Sequence, residues 1–233
     1  MNNINNNLTA IHKKIEQTAQ KCDRDPKTIE LIAVSKTKPV EMLEDALKSG
    51  QYAFGENYVQ EGVEKIHYFK THYPNQPIIW HFIGPLQSNK TKLVAENFDW
   101  MHTVDRLKIA KRLSEQRPAH LKKLNILIQI NISQEESKSG IQPDQLRELV
   151  KQIVQLPNLQ LKGLMAIPEI ADDFEKQLET FNKMKQLFNQ LQADYPQLDT
   201  LSMGMSDDME AAIMAGSTMV RIGSAIFGAR NYL

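Results

Sequence analysis

Lys36 stands at the end of the apolar run Ile29-Glu30-Leu31-Ile32-Ala33-Val34-Ser35 and is followed at once by Thr37-Lys38-Pro39. A primary amine placed where a buried strand opens into a loop is positioned to attack a carbonyl and form an imine, chemistry that a solvated lysine on a helix seldom performs. A second chemical feature lies near the other end of the chain. The segment Ser202-Met203-Gly204-Met205-Ser206-Asp207-Asp208-Met209-Glu210 reads as a strand end, a glycine turn and a helix start. Ser206 or Asp207 is placed to cap that helix, with Asp207 and Glu210 at capping-box spacing, which would explain part of the pattern without a ligand. A helix start also directs free N–H groups and a positive dipole end at the loop, which suits an oxyanion. In Arg221-Ile222-Gly223-Ser224-Ala225-Ile226-Phe227-Gly228, Gly223 permits close backbone approach and Ser224 offers a hydroxyl and an amide.

These residues can cooperate only if one scaffold brings them together. Strand-like runs fall at Ile29–Ser35, Tyr52–Glu56, Ile78–Ile83, Trp100–Val104, Asn125–Asn131, Leu161–Ile167, Thr200–Met203 and Met219–Gly223. Between them lie helix-like stretches at Val40–Ser49, Tyr58–Thr71, Ser88–Asn97, Arg106–Gln116, Pro143–Gln155, Asp172–Ala193 and Asp207–Ala215, after an opening amphipathic segment from about Leu8 to Lys21. Strict alternation implies a parallel sheet, and eight units are the number that closes a (β/α)8 barrel, with a doubly wound open sheet as the alternative. Barrel strands point successive residues inward and outward. With Lys36 inward, the alternation of the other strands places Asn57, His81, Asn131 and Arg221 inward at strand ends. His81 and Asn131 taken singly read equally as hydrogen-bonded interior groups. The set needs a ligand, water or mutual bonding, because unpartnered buried polar groups cost about 1–3 kcal/mol each. The last two strand-to-helix loops are where barrels commonly hold phosphate. An aldehyde within reach of Lys36 and a phosphate at Ser206, Gly223 and Ser224 describe one small molecule, and pyridoxal 5′-phosphate has that shape.

Composition narrows the partners. Among 233 residues, 28 basic side chains balance 28 acidic ones, so no global field draws the protein to nucleic acid or to anionic membrane. No stretch approaches the roughly 18 apolar residues that cross a bilayer, and the polar start Met1–Asn7 lacks a secretory pattern. Cys22, the single cysteine, cannot make an internal disulfide, which fits a reducing, cytoplasmic location. No linker divides the chain, which reads as one domain over residues 1–233. His67 and His72, five apart, are not a metal-ligand set. The polar loop Ser133–Gly140 reads as a lid or as a solvated loop, and Lys38 and Lys138 as surface charges or as transient holders of a cofactor.

Five blocks carry a resemblance. They are Ala33-Val34-Ser35-Lys36, Phe54-Gly55-Glu56-Asn57-Tyr58-Val59-Gln60, Trp80 through Lys90, Leu201 through Asp208, and Arg221 through Gly228. In this order, within a match from about Leu8 to Tyr232, the chain resembles the pyridoxal phosphate homeostasis proteins, single-barrel relatives of the bacterial alanine racemase amino-terminal domain. The resemblance implies an alanine-racemase-like TIM barrel (fold type III) with an extra amino-terminal helix. It also implies pyridoxal 5′-phosphate as cofactor, held as an internal aldimine on Lys36. Arg221 would then lie by the pyridine nitrogen, Asn57 beside the ring, and Ser206, Gly223 and Ser224 at the phosphate. His81, Met203 and Met205 are placed in or beside the pocket. In the racemases so resembled, a tyrosine from a separate β domain supplies the second acid or base. Here the sequence ends at Leu233, so the expectation is a monomeric protein that buffers the cofactor or carries it to apo-enzymes, with little or no amino-acid turnover. The rivals are a racemase-like enzyme on the same cofactor, a Schiff-base aldolase acting on a sugar phosphate, and an interaction module using the exposed face of Asp172–Ala193.

Overall fold

The computed structural model describes residues 3–136 and 139–229. Eight parallel strands run β1 (Glu30–Val34), β2 (Ala53–Glu56), β3 (Ile79–Phe82), β4 (Trp100–Val104), β5 (Leu124–Gln129), β6 (Leu159–Met165), β7 (Thr200–Ser202) and β8 (Met219–Ile222). They pair in chain order, and β1 also pairs with β8, so the sheet closes and the open-sheet alternative falls away. Helices α1 (Ile4–Lys21), α2 (Val40–Lys48), α3 (Val59–His72), α4 (Thr91–Asn97), α5 (Leu107–Gln116), α6 (Leu146–Ile153), α7 (Phe174–Asp194), α8 (Met209–Ala215) and α9 (Ser224–Phe227) surround it.

Strand ends are where the sequence expectation needs correction. The sixth strand begins two residues before the expected Leu161, because Leu159 already pairs with Leu124. The same ladder shifts register between Ile126 and Leu127, skipping Lys162 on β6. Beyond the shift Gly163 lies so close to β7 that an added Cβ would sit 1.7 Å from the Thr200 carbonyl oxygen, so only glycine fits. Helix α1 starts at Ile4 rather than Leu8. Its asparagine-rich first turn is a poor helix former by propensity, but Asn3 caps it by accepting the Asn6 N–H at 3.1 Å, and Ile4 is buried. The helix rests against α2, α8 and α9, and Asn7 Nδ2 donates to the Ile226 carbonyl at 2.8 Å.

The main apolar core fills the space between the outer strand faces and the helices, with Phe54, Phe82, Met101, Leu201 and Val220 pointing into it. Inside the barrel a small apolar cluster of Ile32, Ala53 and Met219, packed on Trp100, sits toward the amino-terminal ends of the strands. Burial there follows ordinary barrel logic. Toward the carboxy-terminal ends the interior turns polar, with His81, His102, Ser202 and Arg221 all buried. That change of character locates the chemistry. Among the described residues no helix is long and apolar enough to cross a membrane.

Candidate functional site

Ile32, Val34 and Lys36 share one strand parity, and Ile32 belongs to the interior cluster, so Lys36 emerges on the axial side of β1. A hollow of about 200 Å³ opens there at the carboxy-terminal end of the barrel. Lys36, Ser206, Arg221, Gly223 and Ser224 all line it, joined by Lys38 and Met205. Residues from opposite ends of the chain meet because β1 and β8 are neighbours, with Ile32 opposite Arg221 and Ala33 opposite Ile222 in the ladder. Gly223 allows that approach. A Cβ on it would lie 3.3 Å from Val34 Cβ and 3.4 Å from the Val34 carbonyl oxygen, tighter than packed side chains normally stand. Lys38 Nζ donates to the carbonyls of Gly228 and Ala229 at 3.2 and 3.1 Å, tying the first strand's loop to the chain beyond α9. Lys138 lies outside the described residues.

Behind Lys36 the loop is clamped by charges that the sequence did not disclose. Ser35 donates through Oγ to Glu56 Oε1 at 2.8 Å, and buried Lys65 donates to the Ser35 carbonyl, to Glu56 Oε1 and to Glu61 Oε1, each at 2.7 Å. Glu61 also accepts the backbone N–H of Thr37, a residue held in the left-handed region at φ 62°. Both neighbours of Lys36 are thereby fixed. Burial pushes the Glu56 carboxyl above the usual range, and Lys65 and Ser35 oppose that push. The adjacent glutamates and lysine in Glu56–Lys65 were visible as letters, but only the fold of α3 onto β2 reveals that Lys65 is buried.

Arg221 also lines the hollow, and its Nη1 donates to Ser202 Oγ while its Nη2 donates to the Ala166 carbonyl at 3.0 Å. Ser202 Oγ lies 3.0 Å from His102 Nδ1, and His102 Nε2 lies 2.9 Å from His81 Nδ1. The His81 ring stacks on Trp100 with centroids 5.4 Å apart. Burial lowers Arg221 to about 10 against the opposing pull of Asp208, and lowers His81 to about 3. His102 is held well below its ordinary value by burial and by the charges of His81 and Arg221. All three shifts are in the direction expected of cations moved out of water.

The remaining candidates are placed differently. His81 lies within the barrel, bonded to His102, rather than among the residues lining the hollow. Met203 is fully buried in the main apolar core, because its parity on the β7 ladder turns it outward. Asn57, half-buried after β2, has a side-chain oxygen with no hydrogen-bond partner among the described residues, a feature that suits a bound donor. Asn131 spends its amide on the Glu135 carbonyl at 2.6 Å, shaping the loop after β5. The capping expectation is corrected as well. Asp208, not Ser206 or Asp207, holds the cap position of α8, and its carboxylate accepts the Met205 N–H. Ser206 is thus left at the rim of the hollow. His102 and Ser202 were missed, although Met101 and Leu201, outward in the core, would have phased both inward by alternation.

A second hollow, about 290 Å³, lies by Asp99 and Arg117. Its charges are occupied, since Arg117 donates to the carbonyls of Ala95, Phe98 and Lys122 while Asp99 accepts the Trp80 N–H. No group of three or more potential metal ligands gathers among the described residues.

Comparison with known proteins identifies the family. Residues 6–231 match the family "Alanine racemase, N-terminal domain". The pyridoxal phosphate homeostasis protein of Vibrio cholerae is 59% identical over 232 residues, spanning 100% of this chain and 98% of that relative. PipY of Synechococcus elongatus PCC7942, solved with PLP bound, superposes with a TM-score of 0.79 at 34% identity, covering 92% of this chain and 99% of PipY. The alanine racemase of Clostridium difficile 630 shares the fold, with a TM-score of 0.72 at 19% identity over 100% of this chain and 58% of the racemase. With its closed barrel and its likeness along the full length of such relatives, this chain belongs to the family of pyridoxal phosphate homeostasis proteins.

Proposed function

We propose that this protein binds pyridoxal 5′-phosphate through a Schiff base on Lys36 and serves to buffer or carry it in the cytoplasm. The observation that carries this reading is the shared lining of one hollow by the primary amine of Lys36, the hydroxyls of Ser206 and Ser224, and Arg221. The donor set fits the group. Lys36 attacks the aldehyde carbon through Nζ, and the oxygen leaves as water when the C=N bond forms. Ser206, Ser224 and the close-set backbone at Gly223 suit the phosphate, and Asn57 has an unspent acceptor for the ring substituents.

Arg221 decides what the bound cofactor is used for. A guanidinium beside the pyridine nitrogen opposes its protonation, because two positive charges would adjoin, and an unprotonated ring withdraws electrons poorly. This charge favours retention over amino-acid turnover. Apo-enzymes that use the same cofactor are the recipients in this reading, served by a monomer.

The decisive experiment is to add pyridoxal 5′-phosphate to the purified protein, reduce with borohydride and map the label by mass spectrometry. The label is expected on the peptide that contains Lys36; labelling confined to other lysines, or requiring a sugar phosphate, would overturn the assignment. Ser224→Ala, which removes one hydroxyl, is expected to weaken retention by about 1 kcal/mol, roughly fivefold in Kd, measured by spectral titration.

A further inference from the structure

Arg221 is an obligate donor, and that one fact gives the interior hydrogen bonds a direction. Its Nη1 donates to Ser202 Oγ, which stands 3.0 Å from His102 Nδ1, and His102 Nε2 stands 2.9 Å from His81 Nδ1. Two proton arrangements satisfy these distances with neutral rings. In the first, Ser202 accepts from Arg221 and donates to His102 Nδ1, and His102 Nε2–H donates to His81 Nδ1. Every group is then paired except the N–H at His81 Nε2, the atom that has no partner among the described residues. In the second, both rings carry the proton on Nδ1. His81 then donates to His102 and His102 to Ser202, so Ser202 receives two donors and its own hydroxyl proton has no acceptor among the described residues. The second arrangement strands two buried groups instead of one. A protonated ring is disfavoured further by burial and by the nearby guanidinium.

We propose that Ser202 and His102 are positioning residues that form a one-way relay from Arg221 to His81, holding the guanidinium in place and fixing both imidazoles as neutral Nε2–H tautomers. The Ala166 carbonyl pins the second guanidinium nitrogen, and the stack on Trp100 fixes the plane of His81 at the far end. The relay keeps Arg221 the only full positive charge among these four side chains. Its value to the site, a guanidinium unable to swing away from the ring nitrogen, rests on the cofactor reading above; the relay itself does not.

The test therefore uses cofactor-free protein labelled with 15N-histidine. His12, His67, His72 and His120 are exposed, so their signals serve as references for solvent-facing rings. His81 and His102 are expected to show the Nε2–H pattern, with an unprotonated Nδ1, and to keep it from about pH 8 to about pH 5. In Ser202→Ala, His102 loses the donor to Nδ1 and is expected to show mixed tautomers. Ser202→Thr, which retains a hydroxyl, is expected to restore the wild-type pattern. An Nδ1–H tautomer or an imidazolium at either buried ring in the wild type would overturn the relay, as would an unchanged His102 in Ser202→Ala. If the alanine variant does not fold, the wild-type spectrum and the threonine variant still decide. Failure here with Lys36 still labelled by borohydride sinks the relay alone, whereas an intact relay with Lys36 unlabelled sinks the cofactor reading alone.

Discussion

Lys36→Ala is expected to remove the visible absorbance that pyridoxal 5′-phosphate develops on the wild-type protein, from stoichiometric to none, while circular dichroism stays unchanged. The side chain is half-buried at a loop, so truncation leaves the core intact. Lys36 lines the same hollow as Ser206 and Ser224. Lys36→Arg is a sharper control, since it keeps the charge and length but cannot give up its proton to become a nucleophile. Both variants are expected to lack the band. A band that persists at full amplitude in either would mean that another amine, with Lys38 the nearest in sequence, forms the imine.

Lys65→Met is expected to cost about 3–5 kcal/mol of folding stability, read as a lower denaturant midpoint, because it leaves Glu56 as an uncompensated buried charge. The two side chains are 6% and 0% exposed and stand 2.7 Å apart, so solvent cannot substitute for the lost partner. Glu56 Oε2 already lacks a hydrogen-bond partner, and burial has already raised the carboxyl's affinity for protons. Adding Glu56→Gln to Lys65→Met is expected to recover much of the loss, since it removes the stranded charge. A loss below about 1 kcal/mol in Lys65→Met would show that the pair is less buried than its geometry requires. The same variant also frees the Ser35 carbonyl next to Lys36, so its cofactor retention should fall in parallel.

All eight strands were legible as runs of the right length and spacing, because a barrel strand must be apolar on its helix-facing side. Their ends were not. Where β6 starts depends on its ladder to β5, a long-range register that no local pattern encodes. The start of α1 was hidden for a related reason, since its asparagines argue against a helix that tertiary burial of Ile4 nonetheless extends. Within the site, Lys36, Arg221, Gly223 and Ser224 stood out because each breaks an apolar alternation at a strand end. His102 and Ser202 sit mid-strand in the same parity and required only the same alternation to be applied to β4 and β7. Lys65 was beyond that method altogether: its neighbours Ile66 and Phe69 face the core, and nothing in a helical repeat says that one lysine reaches across to a glutamate on β2.

Joining β1 to β8 has a kinetic price during synthesis. The strand that leads to Lys36 is made well before its partner Met219–Ile222, so one seam of the sheet must stay open until β8 has emerged from the ribosome. Pairings of such wide sequence separation form slowly, and an exposed seam invites other chains. Because Arg221, Gly223 and Ser224 arrive with β8, a nascent chain that lacks it presents the reactive amine without the residues that complete the hollow. Closure of the sheet and completion of the pocket are therefore one event.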